Sequence, residues 1–239
     1  MNQPRHIVIA GGGTGGHLFP GIAVVEALEE LCGDDLRVSF VGSERGIEAR
    51  KIPELGYDLH TIDVAPLKAG GIAGLARGLA KLPVAGAKTL ALVRKLQPDL
   101  VVAVGGYAAG PFTMSAAVSG VPTVLMEQNA VPGLTNRWLG RVVKKAYVSF
   151  ESTCRHFRGP QCVFLGNPVR RAIAERRDFK YAAPAETGPF NILVIGGSGG
   201  AGSLNSGVPV ALRGLPAELQ ERVQVTHQAG RGRTGEVDY

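Results

Sequence analysis

The sequence predicts an α/β protein built on a doubly wound parallel sheet. Three observations carry this. Short apolar runs of strand length alternate with longer stretches of helical period along most of the chain. Runs such as Leu100–Val104, LVVAV, are apolar throughout, as in strands covered on both faces. The first run, Ile7–Ala10, opens directly into GGGTGG and then into an apolar-periodic stretch, Ile22–Leu31. That order reads as strand, tight loop, helix.

The elements follow in sequence. Strand Ile7–Ala10 ends in a loop, Gly11–Gly16, whose glycines permit positive φ and bring bare N–H groups close to an anion. Gly11, Gly13 and Gly16 satisfy G-x-G-x-x-G, which by itself is a weak signal for dinucleotide binding. His17 stands at the start of the helix, facing whatever the loop holds. Further strands are expected at Val38–Val41, Tyr57–Ile62, Leu100–Val104, Thr123–Met126 and Ala146–Ser149. Helices are expected at Glu48–Leu55, Ala73–Leu96 with a break at Pro83, Pro111–Ser119 and Leu134–Val143. The rhythm lapses across Gly166–Pro189. It restarts with strand Phe190–Ile195, the loop GGSGGAG and a helical run from Ser203. LVIGG here echoes IVIAGG near the start, which places a second α/β domain from about residue 166. The expected division is 1–165 and 166–239, with the second segment holding only part of a domain. Ligands of open α/β sheets bind beyond the carboxyl ends of strands. The loops Gly11–Gly16, Gly105–Gly110 and Glu127–Gly133 are therefore expected to form one cleft, and Gly196–Gly200 belongs to the second domain.

At 239 residues and 45% hydrophobic content the chain has ample material for a core. Cys32, Cys154 and Cys162 show no C-x-x-C spacing and are read as free thiols. The five histidines do not cluster, so no metal site is expected. The N-terminus does not read as a signal peptide, and no apolar run reaches the length of a membrane span. Net charge is +6, and its placement is uneven. Lys68, Arg77, Lys81, Lys88, Arg94 and Lys95 fall in a stretch without acids, as do Arg137, Arg141, Lys144 and Lys145. The first stretch carries Ile72, Leu75, Leu79 and Leu82 at helical spacing. Such a helix either buries its stripe with its bases solvated or lies on an anionic membrane surface. Nucleic acid is not expected as a partner, because no aromatic residues interleave with the basic ones.

Five segments, GGGTGGHLFP, GGYAAGP, EQNAVPGLTNRWL, GNPVR and GGSGGAGSLN, resemble the MurG family in content and order, and together they cover essentially the whole chain. These are bacterial glycosyltransferases that add N-acetylglucosamine to undecaprenyl-pyrophosphoryl-N-acetylmuramyl-pentapeptide in peptidoglycan synthesis. The resemblance implies a GT-B architecture of two Rossmann-like domains with parallel sheets. It implies UDP-N-acetylglucosamine as donor, the undecaprenyl-linked lipid I as acceptor, inversion at the anomeric carbon, no metal and no cofactor. It also implies a peripheral place on the cytoplasmic face of the bacterial inner membrane. Donor contacts carry over onto Thr14, Gly15, Gly16, Asn129, Arg170 and Ser198. Gly105, Gly106 and Tyr107, with the first loop, are implied to hold the acceptor's pyrophosphate.

His17 is the first candidate for general base, since its ordinary pKa lies near neutrality. Its plainer role would be phosphate binding at a helix start. Glu127 is the rival base, and its plainer role is to satisfy loop N–H groups. Tyr107 divides between packing and ligand contact. Arg170 is either a fork for pyrophosphate or a solvated charge, and Ser198 either a ligand contact or an ordinary turn residue. The sequence departs from the family at Gly199, where glutamine is common. It also ends before the family's second domain is complete, so a C-terminal truncation is expected, and the 239-residue chain alone is expected to be inactive. Two other readings compete: an NAD(P)-binding Rossmann oxidoreductase and a non-catalytic membrane-surface binding module.

Overall fold

The computed structural model describes residues 4–63, 86–159, 161–197 and 199–239. These residues form two compact units, Met1–Glu175 and Arg176–Tyr239. The first is organised around strands β1 (Arg5–Gly11), β2 (Leu36–Gly42), β3 (Asp58–Thr61), β4 (Leu100–Gly105), β5 (Thr123–Glu127), β6 (Lys145–Val148) and β7 (Gln161–Phe164). They pair in the order β3-β2-β1-β4-β5-β6-β7, with every pairing parallel. The helices between them are α1 (Gly15–Cys32), α2 (Glu48–Glu54), α3 (helical over residues 86–96), α4 (Ala109–Val118) and α5 (Leu134–Leu139).

The period-two alternation of the strands builds a core on each face of this sheet. Ile7 and Ile9 of β1 pack with Leu18, Ile22 and Val25 of α1 and with Phe40 on one face. Val8 and Ala10 pack with Val93 and Leu96 of α3 and with Phe112 and Ala116 of α4 on the other. This two-sided burial explains why β1 and β4 read as unbroken apolar runs. At Gly21 the helix α1 comes so close that an added Cβ would lie 3.1 Å from Ile9 and 3.2 Å from Val104.

The second unit contains β8 (Phe190–Ile195) and β9 (Val223–Gln228), joined as a separate parallel two-stranded sheet. Helices α7 (Gly202–Arg213) and α8 (Ala217–Gln220) lie between them in the chain. Inside it, the amide of the buried Asn205 donates to the carbonyl of Ala229 at 2.9 Å and to Glu236 at 3.2 Å.

Three expectations are corrected. Residues 166–175 belong with the first unit rather than the second. The short helix α6 (Arg171–Ala174) is held there because the Arg171 N–H donates to Glu26 of α1 at 2.7 Å. Cys154 and Cys162 are not free thiols but form a disulfide, with Cα atoms 5.6 Å apart. A 3-10 turn, Glu151–His156, brings Cys154 beside β7, a proximity that sequence spacing does not reveal. Cys32 is a free, exposed thiol. The helix expected over Leu134–Val143 stops at Leu139, with Gly140 as its C-cap packed against the ring of Phe157. Strands β7 and β9 lie outside the strands expected from the sequence, being short or alternating with largely polar, exposed residues. The apolar stripe Ile72, Leu75 and Leu79, with Arg77 and Lys81, lies outside the described residues, while Lys88 is exposed. Among the described residues no helix is long and apolar enough to cross a membrane.

Candidate active site

The chain winds away from β1 on one side and from β4 on the other, so the crevice of this sheet opens between their carboxyl ends. Both strands end in glycine loops, and the loops interlock. The Gly12 N–H donates to the Gly105 carbonyl at 3.1 Å. Gly106, at φ +88°, passes so close that a Cβ there would overlap the carbonyl oxygen of Gly12. Only glycine serves a position that combines positive φ with a backbone this near.

Beneath the first loop lies a carboxylate that sequence reasoning missed. Glu48, 1% exposed at the start of α2, accepts from the Gly13 N–H at 2.7 Å, the Ser43 N–H at 2.9 Å and the Ser43 hydroxyl at 2.8 Å. Glycines at 12, 42 and 46 leave the room it fills. Read along the chain, Glu48 was only a helix-starting acid; the signal was the flanking Gly42 and Gly46. Its effect on the loop is specific. The N–H groups of Gly12 and Gly13 are used internally, which leaves those of Thr14, Gly15 and Gly16 without partners among the described residues. Thr14 is the N-cap of α1 and makes no side-chain cap bond. The first turn of an 18-residue helix therefore presents free donors and its positive dipole end to the crevice.

His17 sits one turn into this helix, half-buried, with its ring against the second loop. A Cβ on Gly105 would come within 2.8 Å of His17 Nδ1 and 2.9 Å of Cε1. Nδ1 faces inward, 3.3 Å from Gln128 Oε1. Nε2 has no protein partner among the described residues and is not enclosed.

The third loop is fixed by Glu127 at the end of β5. This carboxylate, 1% exposed, accepts from the Asn129 N–H and side-chain amide, both at 2.9 Å, from the Gly133 N–H at 3.2 Å and from the Asn136 amide at 3.0 Å. Four donors occupy its two oxygens, which is the arrangement of a structural carboxylate rather than of a proton acceptor for substrate. Asn129 is exposed and spends one amide N–H on Glu127, keeping its other N–H and its carbonyl oxygen for a ligand. Tyr107 is 49% exposed beside Gly106. Arg170 is not a free linker charge: its guanidinium stacks 4.5 Å over the ring of Phe19, two residues beyond His17. Ser198 lies outside the described residues.

Thr14, Gly15, Gly16, His17, Gly105, Gly106, Glu127 and Asn129 thus share one edge of the sheet. Together they offer unpartnered backbone N–H groups, a side-chain amide with capacity to spare and one imidazole nitrogen without a partner among the described residues. A family model described as the glycosyltransferase family 28 N-terminal domain matches residues 7–148, more than half of the chain.

The chain belongs to glycosyltransferase family 28.

A relative from Anaeromyxobacter dehalogenans is 46% identical over 226 residues, covering 94% of this chain and 57% of that protein. One from Myxococcus xanthus is 41% identical over 225 residues, with the same coverage. Both are named UDP-N-acetylglucosamine–N-acetylmuramyl-(pentapeptide) pyrophosphoryl-undecaprenol N-acetylglucosamine transferase. The crystal structure of Acinetobacter baumannii MurG is similar with a TM-score of 0.68 and 30% identity, covering 97% of this chain and 60% of that one. A UDP-N-acetylglucosamine 2-epimerase shares the fold at a TM-score of 0.59 with 10% identity, over 94% of this chain and 63% of that one. This family 28 chain thus spans 57% of the length of its Anaeromyxobacter and Myxococcus relatives.

Proposed function

We propose that the protein containing this chain transfers N-acetylglucosamine from UDP-N-acetylglucosamine to the 4-hydroxyl of undecaprenyl-pyrophosphoryl-MurNAc-pentapeptide, turning lipid I into lipid II for peptidoglycan. The observation that carries this is the placing of His17 Nε2, free of protein partners, beside the free N–H groups of Thr14, Gly15 and Gly16. In this reading His17 takes the proton of the muramyl 4-hydroxyl as its oxygen attacks C1. The new O4–C1 bond forms on the face opposite the breaking bond from C1 to the diphosphate oxygen. UDP leaves with the bonding electrons, and the configuration inverts. Thr14, Gly15, Gly16, Asn129 and Arg170 contact the donor, and Gly105, Gly106 and Tyr107 help to hold the acceptor's pyrophosphate. The names of the relatives and the order of the five motifs support the same assignment.

The test uses a chain of the relatives' full length that carries these residues. With radiolabelled UDP-N-acetylglucosamine and a lipid I analogue, the expected product is the β-linked disaccharide with stoichiometric release of UDP. Tight NADH binding without any such product would favour the oxidoreductase reading instead.

We further propose that the first unit meets the cytoplasmic face of the inner membrane through the region around α5. Trp138 is 60% exposed and Leu134 52% exposed, and Arg137, Arg141, Arg155 and Arg158 surround them. None of these arginines has an ion-pair partner among the described residues, and Arg141 stacks 5.8 Å over Trp138. An indole among unpaired bases suits the headgroup layer of anionic lipid. Neutralising Arg137 and Arg141 together is expected to weaken binding to phosphatidylglycerol vesicles by about 2 kcal/mol, or roughly thirty-fold, at about 1 kcal/mol per base. The wild-type binding should itself fall with added salt. Co-sedimentation that ignores both salt and the double substitution would remove this surface from consideration.

A further inference from the structure

Gln128 lies between two residues that already have roles in the reading above, yet that reading gives it none. Its neighbour Glu127 pins the loop through four hydrogen bonds, so the backbone at Gln128 is held in place. From there the side chain reaches across to helix α1, where Oε1 stands 3.3 Å from His17 Nδ1. The other end of the amide, Nε2, is buried and has no partner among the described residues. A buried amide with one orphaned end gives the fold little net stability, because an unmet donor offsets what the single bond contributes. The contact with His17 is the polar interaction that remains to explain its position.

We propose that Gln128 is a positioning residue for His17. Its amide oxygen accepts the Nδ1–H and thereby holds the neutral ring in the tautomer whose Nε2 lone pair faces the cleft. A carbonyl oxygen has only lone pairs to offer, so the nitrogen facing it must carry the proton. The other nitrogen is then the acceptor, and a general base needs its acceptor turned toward the substrate. The glycine at position 105 completes the arrangement. A side chain there would collide with Nδ1 and Cε1, so glycine leaves room for that edge of the ring beside the loop, while Nε2 has no protein partner among the described residues. This inference rests on His17 being the base, but it makes a claim about a proton that can be read without any turnover.

The experiment is nitrogen NMR of the full-length protein labelled with 15N-histidine, at a pH where His17 is neutral, with His17→Ala used to assign the signal. The expected spectrum shows a protonated Nδ1 and an unprotonated Nε2. In Gln128→Leu the signal should move toward the Nε2–H form, which free histidine favours. The kcat of that variant should fall roughly tenfold, short of the loss from removing the base itself, with the KM for UDP-N-acetylglucosamine unchanged. Gln128→Glu restores an acceptor and should restore the Nδ1–H form. An Nε2–H tautomer in the wild-type protein would overturn the inference even if Gln128→Leu failed to fold, and so would a Gln128→Leu variant that keeps both tautomer and kcat. Full activity of His17→Ala alongside an Nδ1–H signal would instead strike the base assignment and leave the hydrogen bond standing.

Discussion

Replacing His17 with alanine is expected to lower kcat by about 10²–10⁴-fold, the usual contribution of a positioned general base. The Kd for UDP-N-acetylglucosamine should stay close to its original value. The physical reason is that His17 Nε2 is proposed to act on the acceptor hydroxyl, whereas the donor is proposed to contact the N–H groups of Thr14, Gly15 and Gly16. A group used only in the transition state reduces kcat and kcat/KM together. The loop should survive the change, because the contacts between Gly12 and Gly105 and between Gly13 and Glu48 do not involve the imidazole. Steady-state kinetics paired with calorimetric titration of the donor would show the split. A weakened Kd with unchanged kcat would make His17 a phosphate ligand and send the search for the base elsewhere.

Glu127→Ala is expected to act mainly on stability, by about 2–4 kcal/mol in urea unfolding, with the activity lost as a consequence of a disordered loop. Four donors lose their acceptor at once. The exposed N–H groups of Asn129 and Gly133 can turn to water. The Asn136 amide is buried and keeps only its 3.0 Å bond to the Met126 carbonyl. That division is why the expected loss is smaller than four separate buried bonds would suggest. A change under about 0.5 kcal/mol, together with a fall in kcat like that of His17→Ala, would reverse the roles and make Glu127 the base.

The sequence by itself determined the first unit's architecture and which loops stand at the carboxyl ends of its central strands. Apolar runs of strand length suit strands buried on both faces, and β4 and β5 stand within one residue, and β1 within two, of the spans read from the chain. Glycine loops after such strands could only lie at their carboxyl ends, so Thr14, His17, Gly105 and Asn129 were expected at one edge before any contact was known. Local chemistry suffices for such inferences, because backbone freedom and hydrophobic period are properties of neighbouring residues.

Only the tertiary structure decided which polar groups were already spent. Glu48 is 35 residues from the Gly13 N–H it accepts, and Gln128 is 111 residues from the His17 ring it faces. Partnerships across that distance leave no period and no spacing in a single sequence. The same holds for the Arg171 contact with Glu26 that carries residues 166–175 into the first unit, and the Cys154–Cys162 bond, though its partners are only 8 residues apart, likewise depends on how the chain turns between them. A hydrogen bond needs two groups brought within about 3 Å of each other, and the fold alone sets that distance. Residue types name what a group can do; long-range packing decides which of those capacities are still free to meet a substrate.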